Sequence, residues 1–375
     1  MHPQNEPPNS PTTQPLNRRS AYNIVRRSAA VGLLAFIVSW FVSPAIGGSV
    51  ARAEATTRPA EPVRVIFDSD MDGDCDDVAA LALLHVLADR GEAQILATIG
   101  CGRNAWTPAC ISAINTYYGR GDLPIGRAAA GGVDRPSPYT QTVADRCPHL
   151  LKNAADAEDA VALYRRVLAA QPDRSVVIAT VGFHTNPAAL MKSPASENQP
   201  AGIDLVKSKV RLWACMGGNF IGSPAKDDLK LGNVNFQKDA AATYYVITHW
   251  PGRVVFVGRE VASVPSGVQI GSHFSKLPID HPVRVAYEAY FKGTCKDRHI
   301  ADPATILFAV RGTSDLWALH DEGSMNLQHD MKFEWQPTGH DQAYLLKRLV
   351  DGKPNDRAVE KTVEDLIMTP ALKTK

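Results

Sequence analysis

Residues 63–83 run VRVIFDSDMDGDCDDVAALAL. The β-branched opening, Val63 to Phe67, predicts a buried strand. Six aspartates follow within ten residues: Asp68, Asp70, Asp72, Asp74, Asp76 and Asp77. From Val78 to Ala88 the pattern changes, and Val78, Leu81, Ala82 and His85 recur at helical spacing. The acids therefore stand where a strand hands over to a helix, which is where α/β folds build their sites. Carboxylates about 4–6 Å apart repel by roughly 1–4 kcal/mol per pair at intermediate dielectric. Folding must disperse them into solvent, protonate some, or neutralise them with a cation. A donor set made only of oxygen favours a hard divalent ion, Ca²⁺ or Mg²⁺, over zinc or copper. A solvated acidic loop is the competing reading. An EF-hand is excluded, although Asp68-x-Asp70-x-Asp72-Gly73 imitates its start. Ala79 holds the twelfth position, where a bidentate Glu is required, and a strand precedes the loop instead of a helix.

Composition narrows the classes further. A chain of 375 residues, 45% hydrophobic, can bury one large core or two modest ones. A net charge of +1 gives no reason to expect nucleic acid or acidic lipid as a partner. The first 53 residues differ in character from the rest. Met1 to Leu16 is polar and Pro-rich, as in disordered segments. Arg18-Arg19 and Arg26-Arg27 precede the apolar run Ala29 to Ile46, and Ala51-Arg52-Ala53 follows as a small-x-small cleavage site. That order predicts an export signal over residues 1–53, with paired arginines pointing to the twin-arginine route. The mature protein would start at Glu54, lie in the periplasm or outside the cell, and keep no stable membrane association. An uncleaved anchor is the alternative; Pro44 and Gly47-Gly48 interrupt the apolar run and argue against it. The six cysteines all lie in the mature part, at spacings that match neither a small disulfide scaffold nor a zinc motif. An even count in an exported protein permits disulfides, whose pairing the spacing does not specify; most of the six read as ordinary buried residues.

Downstream the chain alternates. Strands are predicted at Gln94 to Ile99, Leu123 to Ile125, Val176 to Thr180, Val210 to Cys215 and Arg253 to Val257. Between them, helices are predicted at Pro108 to Tyr118, Ala157 to Ala170, Pro187 to Lys192 and Ala240 to Trp250. This predicts an α/β fold: a mostly parallel, Rossmann-like sheet covered by helices on both faces, in one domain over 54–375. The C-terminal part reads as less regular and mainly helical, with helices at Val283 to Phe291, Pro303 to Val310, Gln342 to Val350 and Val359 to Ile367. Gly131 to His149 and Gly217 to Asn233 are loops long enough to wall a pocket.

Ligands of such sheets bind at the carboxyl ends of the strands. Those ends hold the aspartate loop, Asn104, the turn Val181-Gly182-Phe183-His184-Thr185-Asn186, and Met216-Gly217-Gly218. Further on stand Asn233-Val234-Asn235 and Arg298-His299-Ile300-Ala301-Asp302-Pro303. Together they resemble the nucleoside hydrolase (nucleoside N-ribohydrolase) family over residues 63 to 310. The first stretch is similar to the signature D-x-D-x-x-x-D-D-x-x-A-L. Here it runs Asp68-Ser69-Asp70, Met71 to Cys75, then Asp76-Asp77-Val78-Ala79-Ala80-Leu81. The spacer is two residues longer than the commonest form, as in an exported bacterial branch with an extended aspartate loop. The other segments are similar to the family's T-G-x-L-T-N, M-G-G, E-x-N and H-D-P.

The resemblance implies calcium-dependent hydrolysis of the N-glycosidic bond of a ribonucleoside or related riboside, a small-molecule substrate, with release of ribose and free base. Cleavage passes through an oxocarbenium-like sugar and needs a water, a base and help for the leaving group. By resemblance Asp70 is metal ligand and general base; Asp77, Asp302 and the Val181 carbonyl complete the Ca²⁺ set; and Asp76, Asn104 and Asn235 hold the ribose. Local chemistry offers other roles. Asn104 can cap the helix after it, and Asp302 before Pro303 is ordinary N-cap chemistry. His184, His273, His281 and His299 read as surface or structural, and Trp213, Trp250 and Trp317 as core. Two positions depart from the family. Asn233 replaces its glutamate, and Ala301 stands where some members carry a histidine proposed to protonate the leaving base. The alternative reading is therefore a non-catalytic Ca²⁺-dependent sugar-binding protein on the same scaffold. A D-x-D phosphatase is weaker still, since no Ser/Thr and Lys motifs follow. Monomer and homo-oligomer both stay open.

Overall fold

The computed structural model describes residues 61–128, 132–151, 153–220, 234–263, 266–339 and 341–372. The expected export signal and Asn233 lie outside the described residues. Val63–Ser69 forms β1, followed by β2 (Ala93–Gly100), β3 (Ile125–Arg127), β4 (Glu158–Asp159), β5 (Val176–Thr180), β6 (Val210–Met216) and β7 (Val254–Val257). Two short pieces, β8 (Gln269–Ile270) and β9 (Arg298–His299), pair with each other. They are followed by β10 (Trp317–His320), β11 (Ser324–Leu327), β12 (Phe333–Gln336) and β13 (Gln342–Lys347). The main sheet has the order β10-β13-β7-β6-β5-β1-β2-β3-β4. Its pairs are parallel except β10 with β13.

Helices connect the strands: α1 (Asp76–Asp89), α2 (Thr107–Tyr117), α3 (Thr140–Arg146), α4 (Ala160–Ala169), α5 (Thr185–Lys192), α6 (Gly202–Lys209), α7 (Val234–Lys238) and α8 (Ala240–His249). After β7 come α9 (Arg259–Ala262), α10 (Pro282–Tyr290), α11 (Ala301–Arg311) and α12 (Asp356–Ile367). Successive strand residues serve opposite faces, as the pleat requires. Val65, Phe67, Val177 and Val255 enter a core shared with α1, α2, α10, α11 and α12. Ile66, Ile178, Trp213 and Val254 enter a second core with α4, α5, α6 and α8. Burial on both faces explains why these strands read as continuous apolar runs rather than as alternating ones.

The segment Gln342 to Val350, expected as helix, is instead strand β13 followed by a short hairpin strand, Leu349–Val350. Its Ala, Leu and Lys content favours helix in isolation. Pairing with β7 and β10 overrides that preference and buries Ala343 and Leu345 fully. Helices α3 and α6 lie in stretches for which no helix was expected. Among the described residues, no helix is long and apolar enough to cross a membrane.

From β1 the strand order grows one way through β2, β3 and β4, and the other way through β5, β6 and β7. The switch point lies between β1 and β5, and Asp70 and Val181 directly follow those two strands.

Candidate active site

The loop after β1 is held from below and kinked at Met71. Asp68 points into the protein, where Tyr164 Oη donates to its Oδ2 (2.7 Å) and Asn186 Nδ2 donates to both oxygens (3.2 Å). Burial pushes the Asp68 carboxyl up to about 7, although these hydrogen bonds oppose the shift. Met71 has φ 48°, a left-handed conformation costly for a side chain of its size. The kink aims the Met71 N–H at Ser69 Oγ and Asp77 Oδ1, both at 3.2 Å. Ser69 Oγ also donates to Asp77 Oδ1 at 2.5 Å. The end of β5 comes unusually close, since a Cβ on Gly182 would lie 2.5 Å from the Asp70 nitrogen and 2.6 Å from Cys101 Sγ. Only glycine allows that approach.

Four carboxylates, from Asp74, Asp76, Asp77 and Asp302, bring oxygens within 4.8 Å of one another. Burial first, and then the charges of their neighbours, push the carboxyls of Asp70, Asp77 and Asp302 well above the ordinary range. Asp76 rises to about 6, again chiefly by burial. Asp76 Oδ1 and Asp77 Oδ2 are buried and accept no hydrogen bond from the protein. Orphaned acceptors inside a crowd of buried acids are what a hard cation would satisfy and neutralise at once, so these residues fit a divalent ion bound through oxygen.

Cationic side chains border this cluster. Arg298 Nη2 donates to Asp74 Oδ2 at 2.6 Å. The His299 ring stands between two acids, with Nε2 3.3 Å from Asp74 Oδ2 and Nδ1 3.3 Å from Asp76 Oδ2. Burial lowers the His299 pKa, but the adjacent carboxylates outweigh it and lift the imidazole to about 10. Burial likewise raises Asp74, yet His299 and Arg298 outweigh it and hold that carboxyl well below the ordinary range. Arg135 lies 3.0 Å from Asp72, whose carboxyl burial raises to about 6 against that pull.

A cavity of about 400 Å³ opens over the cluster. Of the residues singled out in the sequence, Asp70, Asp76, Val181, Asn235 and Asp302 line it. Asp77 lies beneath it, 1% exposed. The Val181 carbonyl accepts a hydrogen bond from Asn235 Nδ2 at 3.0 Å and keeps a second lone pair. Asn104, expected to hold the ribose, is not among the residues that line this cavity. Its Nδ2 donates to the Arg135 carbonyl (3.2 Å) and its Oδ1 accepts from the Trp106 N–H (2.8 Å), so both ends of the amide hold the loop. His299 also departs from its expected surface or structural role: it lines the cavity, its side chain 12% exposed. The ladder between β8 and β9 sets it there, pairing Gln269 with His299. His184 and His281 are buried and structural, and His273 is exposed beside Glu364. All six cysteines are buried and free.

Sequence reasoning counted Asp74 among the clustered acids without giving it a place in the ligand set, quoted Arg298 without a role, and passed over Arg135, Arg259 and Ser263. The clustering of the aspartates and their extended spacer were the signals for Asp74. The others come from distant segments and leave no local pattern.

By sequence the chain matches no family model and no curated protein. Its structure is similar to several solved ones. The inosine-uridine preferring nucleoside hydrolase from Bacillus anthracis superposes with a TM-score of 0.58 at 15% identity, over 81% of this chain and 98% of the other. The purine-preferring ribonucleoside hydrolase from Gardnerella vaginalis gives 0.54 at 14% identity, over 81% and 98%. The type III effector protein XopQ, complexed with adenosine diphosphate ribose, gives 0.55 at 16% identity, over 84% and 95%. The large, mostly parallel sheet, its switch point between β1 and β5 and the helices on both faces are thus the fold of the nucleoside hydrolases.

Proposed function

We propose that this protein is an exported, Ca²⁺-dependent N-ribohydrolase that cleaves the N-glycosidic bond of a ribonucleoside or related riboside. The observation that carries this reading is the pair of buried, unpartnered oxygens, Asp76 Oδ1 and Asp77 Oδ2, in a cluster of acids under the cavity. A ring of solvated surface acids would not need such burial. Structures of the same fold are nucleoside hydrolases, and the XopQ complex with adenosine diphosphate ribose brings ribosides other than plain nucleosides into scope. The export half of the reading rests on the order of residues 18–53 alone.

Asp74, Asp76, Asp77, Asp302 and the free lone pair of the Val181 carbonyl are the groups that would hold the ion, with Asp70 at the cavity wall. When bound, a divalent cation fixes a water and vicinal hydroxyls and makes that water more acidic. Asp70 lines the cavity and would take the proton from the attacking water. Asp76 and Asn235 line the same space and would orient the ribose hydroxyls. His299 lines the cavity 3.3 Å from both Asp74 and Asp76, two residues before Ala301, and would be the side chain to protonate a leaving base. The test is ribose release from a panel of nucleosides by the mature protein, with and without a chelator. Activity that survives complete chelation would sink the metal-dependent reading.

A further inference from the structure

We infer that Asp68, Tyr164 and Asn186 are positioning residues for the ion, and that they set the affinity of the metal site from beneath it. This rests on the divalent-ion reading above and concerns what keeps its ligands in place.

All three side chains are buried, and none of them lines the cavity. Asp68 shares the pleat face of Ile66, so its carboxylate meets α4 and α5 rather than α1. Tyr164 Oη, from α4, donates to it at 2.7 Å, a length typical of a hydroxyl on a charged acceptor. Asn186 Nδ2, in the first turn of α5, reaches both carboxylate oxygens at 3.2 Å and the Gly100 carbonyl at 3.3 Å. This one knot therefore ties the carboxyl ends of β1 and β2 to the helix that follows β5.

Those strand ends carry part of the ligand set. The Asp68 carbonyl accepts from the Val181 N–H at 2.8 Å, which fixes the residue whose own carbonyl would face the ion. Asp70 follows two positions later, packed against Gly182. Between Asp70 and the helix, Met71 holds its left-handed φ of 48°. A strained turn keeps its shape only while both sides are fixed. Ser69 and Asp77 hold the Met71 N–H on one side, and the Asp68 knot holds β1 on the other. Asp76 and Asp77 belong to α1, which packs into the core on the other face of the sheet. Releasing the knot thus shifts Asp70 and the Val181 carbonyl and leaves the helix carboxylates in place, so it weakens the ion without abolishing its binding.

The experiment is calorimetric titration of the chelator-stripped protein with Ca²⁺, beside thermal unfolding of the same samples. Tyr164→Phe keeps the ring, removes one hydrogen bond, and should weaken Ca²⁺ binding about tenfold. Asp68→Asn sets an amide against the Asn186 amide and should weaken it at least as much. Adding Tyr164→Phe to Asp68→Asn should then cost little more, because both act through one carboxylate. Asn115→Ala is the control, a buried side chain bonded to His85 and Thr98 away from the loop. It should lower the unfolding temperature and leave Ca²⁺ affinity unchanged. Should Asp68→Asn not fold, Tyr164→Phe against Asn115→Ala decides. Unchanged Ca²⁺ affinity in Tyr164→Phe, equal losses in Tyr164→Phe and Asn115→Ala, or losses that add in full in the double variant overturn the inference and leave the metal site. A wild-type protein that binds no Ca²⁺ removes the metal reading, and this inference with it.

Discussion

The C-terminal half of α1 buries His85 completely, among groups that answer one another. Its Nε2 bonds Asn115 Oδ1 at 2.9 Å, Asn115 Nδ2 donates to Thr98 Oγ1 at 3.0 Å, and Thr98 Oγ1 donates to the Pro124 carbonyl at 3.4 Å. On the other side Arg120 meets His85 Nδ1 at 3.4 Å and Asp89 at 2.5 Å. The first turn of the same helix buries Asp76 and Asp77 as deeply and leaves one oxygen of each without a partner. One helix thus carries a polar network that closes on itself and another that stops short. Buried polar groups cost stability unless paired. The closed end needs no further partner, whereas the open end leaves two buried oxygens of the kind a hard cation would satisfy.

Asp77→Asn puts the largest strain on this contrast. Calorimetry should show Ca²⁺ affinity falling by more than the ~10–100-fold that loss of a supporting group costs. In the metal-free protein the same change removes like-charge repulsion, so denaturant unfolding should show it stabilised by about 1–3 kcal/mol. Asn115→Ala, at the closed end, should destabilise by about 1–3 kcal/mol with or without Ca²⁺. If Asp77→Asn weakens the metal-free protein as Asn115→Ala does, the two ends are alike and the contrast fails.

Asp70→Asn comes next. It keeps the shape of a cavity-lining side chain and removes the group assigned to take a proton from water. Turnover should fall by at least ~10², with substrate affinity changed much less. Near-full activity in steady-state kinetics would remove Asp70 as the base.

Much of this was legible beforehand, for local reasons. The strands were readable because Val65, Ile66, Phe67 and Val176 to Ile178 are buried on both faces and need apolar, β-branched residues. The acid loop was readable because six aspartates in ten residues have few stable uses. What escaped depends on distant pairing. His299 enters the cavity through a ladder with Gln269, thirty positions earlier in the chain, and nothing near His299 announces it. Gln342 to Lys347 becomes a strand only because β7 offers an edge. At Asn104 the two sources of inference diverge, since the motif position suggests the sugar while local geometry gives its amide to the loop.

The third prediction concerns acid. Burial lowers His85 from 6.5 to about 3, so the folded protein keeps it neutral where the unfolded chain protonates it. A depressed pKa gives stability that is complete above the unfolded value and is lost as pH falls from 6.5 towards 3. At pH 5 the loss from this one group is about 2 kcal/mol relative to pH 8. The acids at the other end of α1 titrate in the opposite sense, so the comparison that isolates the histidine is wild type against His85→Gln. The difference in their unfolding free energies should shrink by about 2 kcal/mol between pH 8 and pH 5. A difference independent of pH would mean that water reaches the closed end.

The smallest effect is expected at Asn104, which tests where the open region stops. Its amide ties the Arg135 carbonyl to the Trp106 N–H, and its own carbonyl accepts from the Thr107 N–H at 3.2 Å. The residue therefore fastens the loop that carries Arg135 to the start of α2, and its side chain is outside the cavity lining. Asn104→Ala loses two hydrogen bonds in a part-buried loop, and chemical denaturation should register about 1 kcal/mol. The KM for a riboside should move by no more than about twofold, because no contact with the sugar is removed. A ribose ligand would behave in the reverse way, with folding stability unchanged and KM raised about tenfold, the equivalent of 1.4 kcal/mol. That result would bring Asn104 back to the sugar and extend the open region beyond the first turn of α1, to the far side of β2.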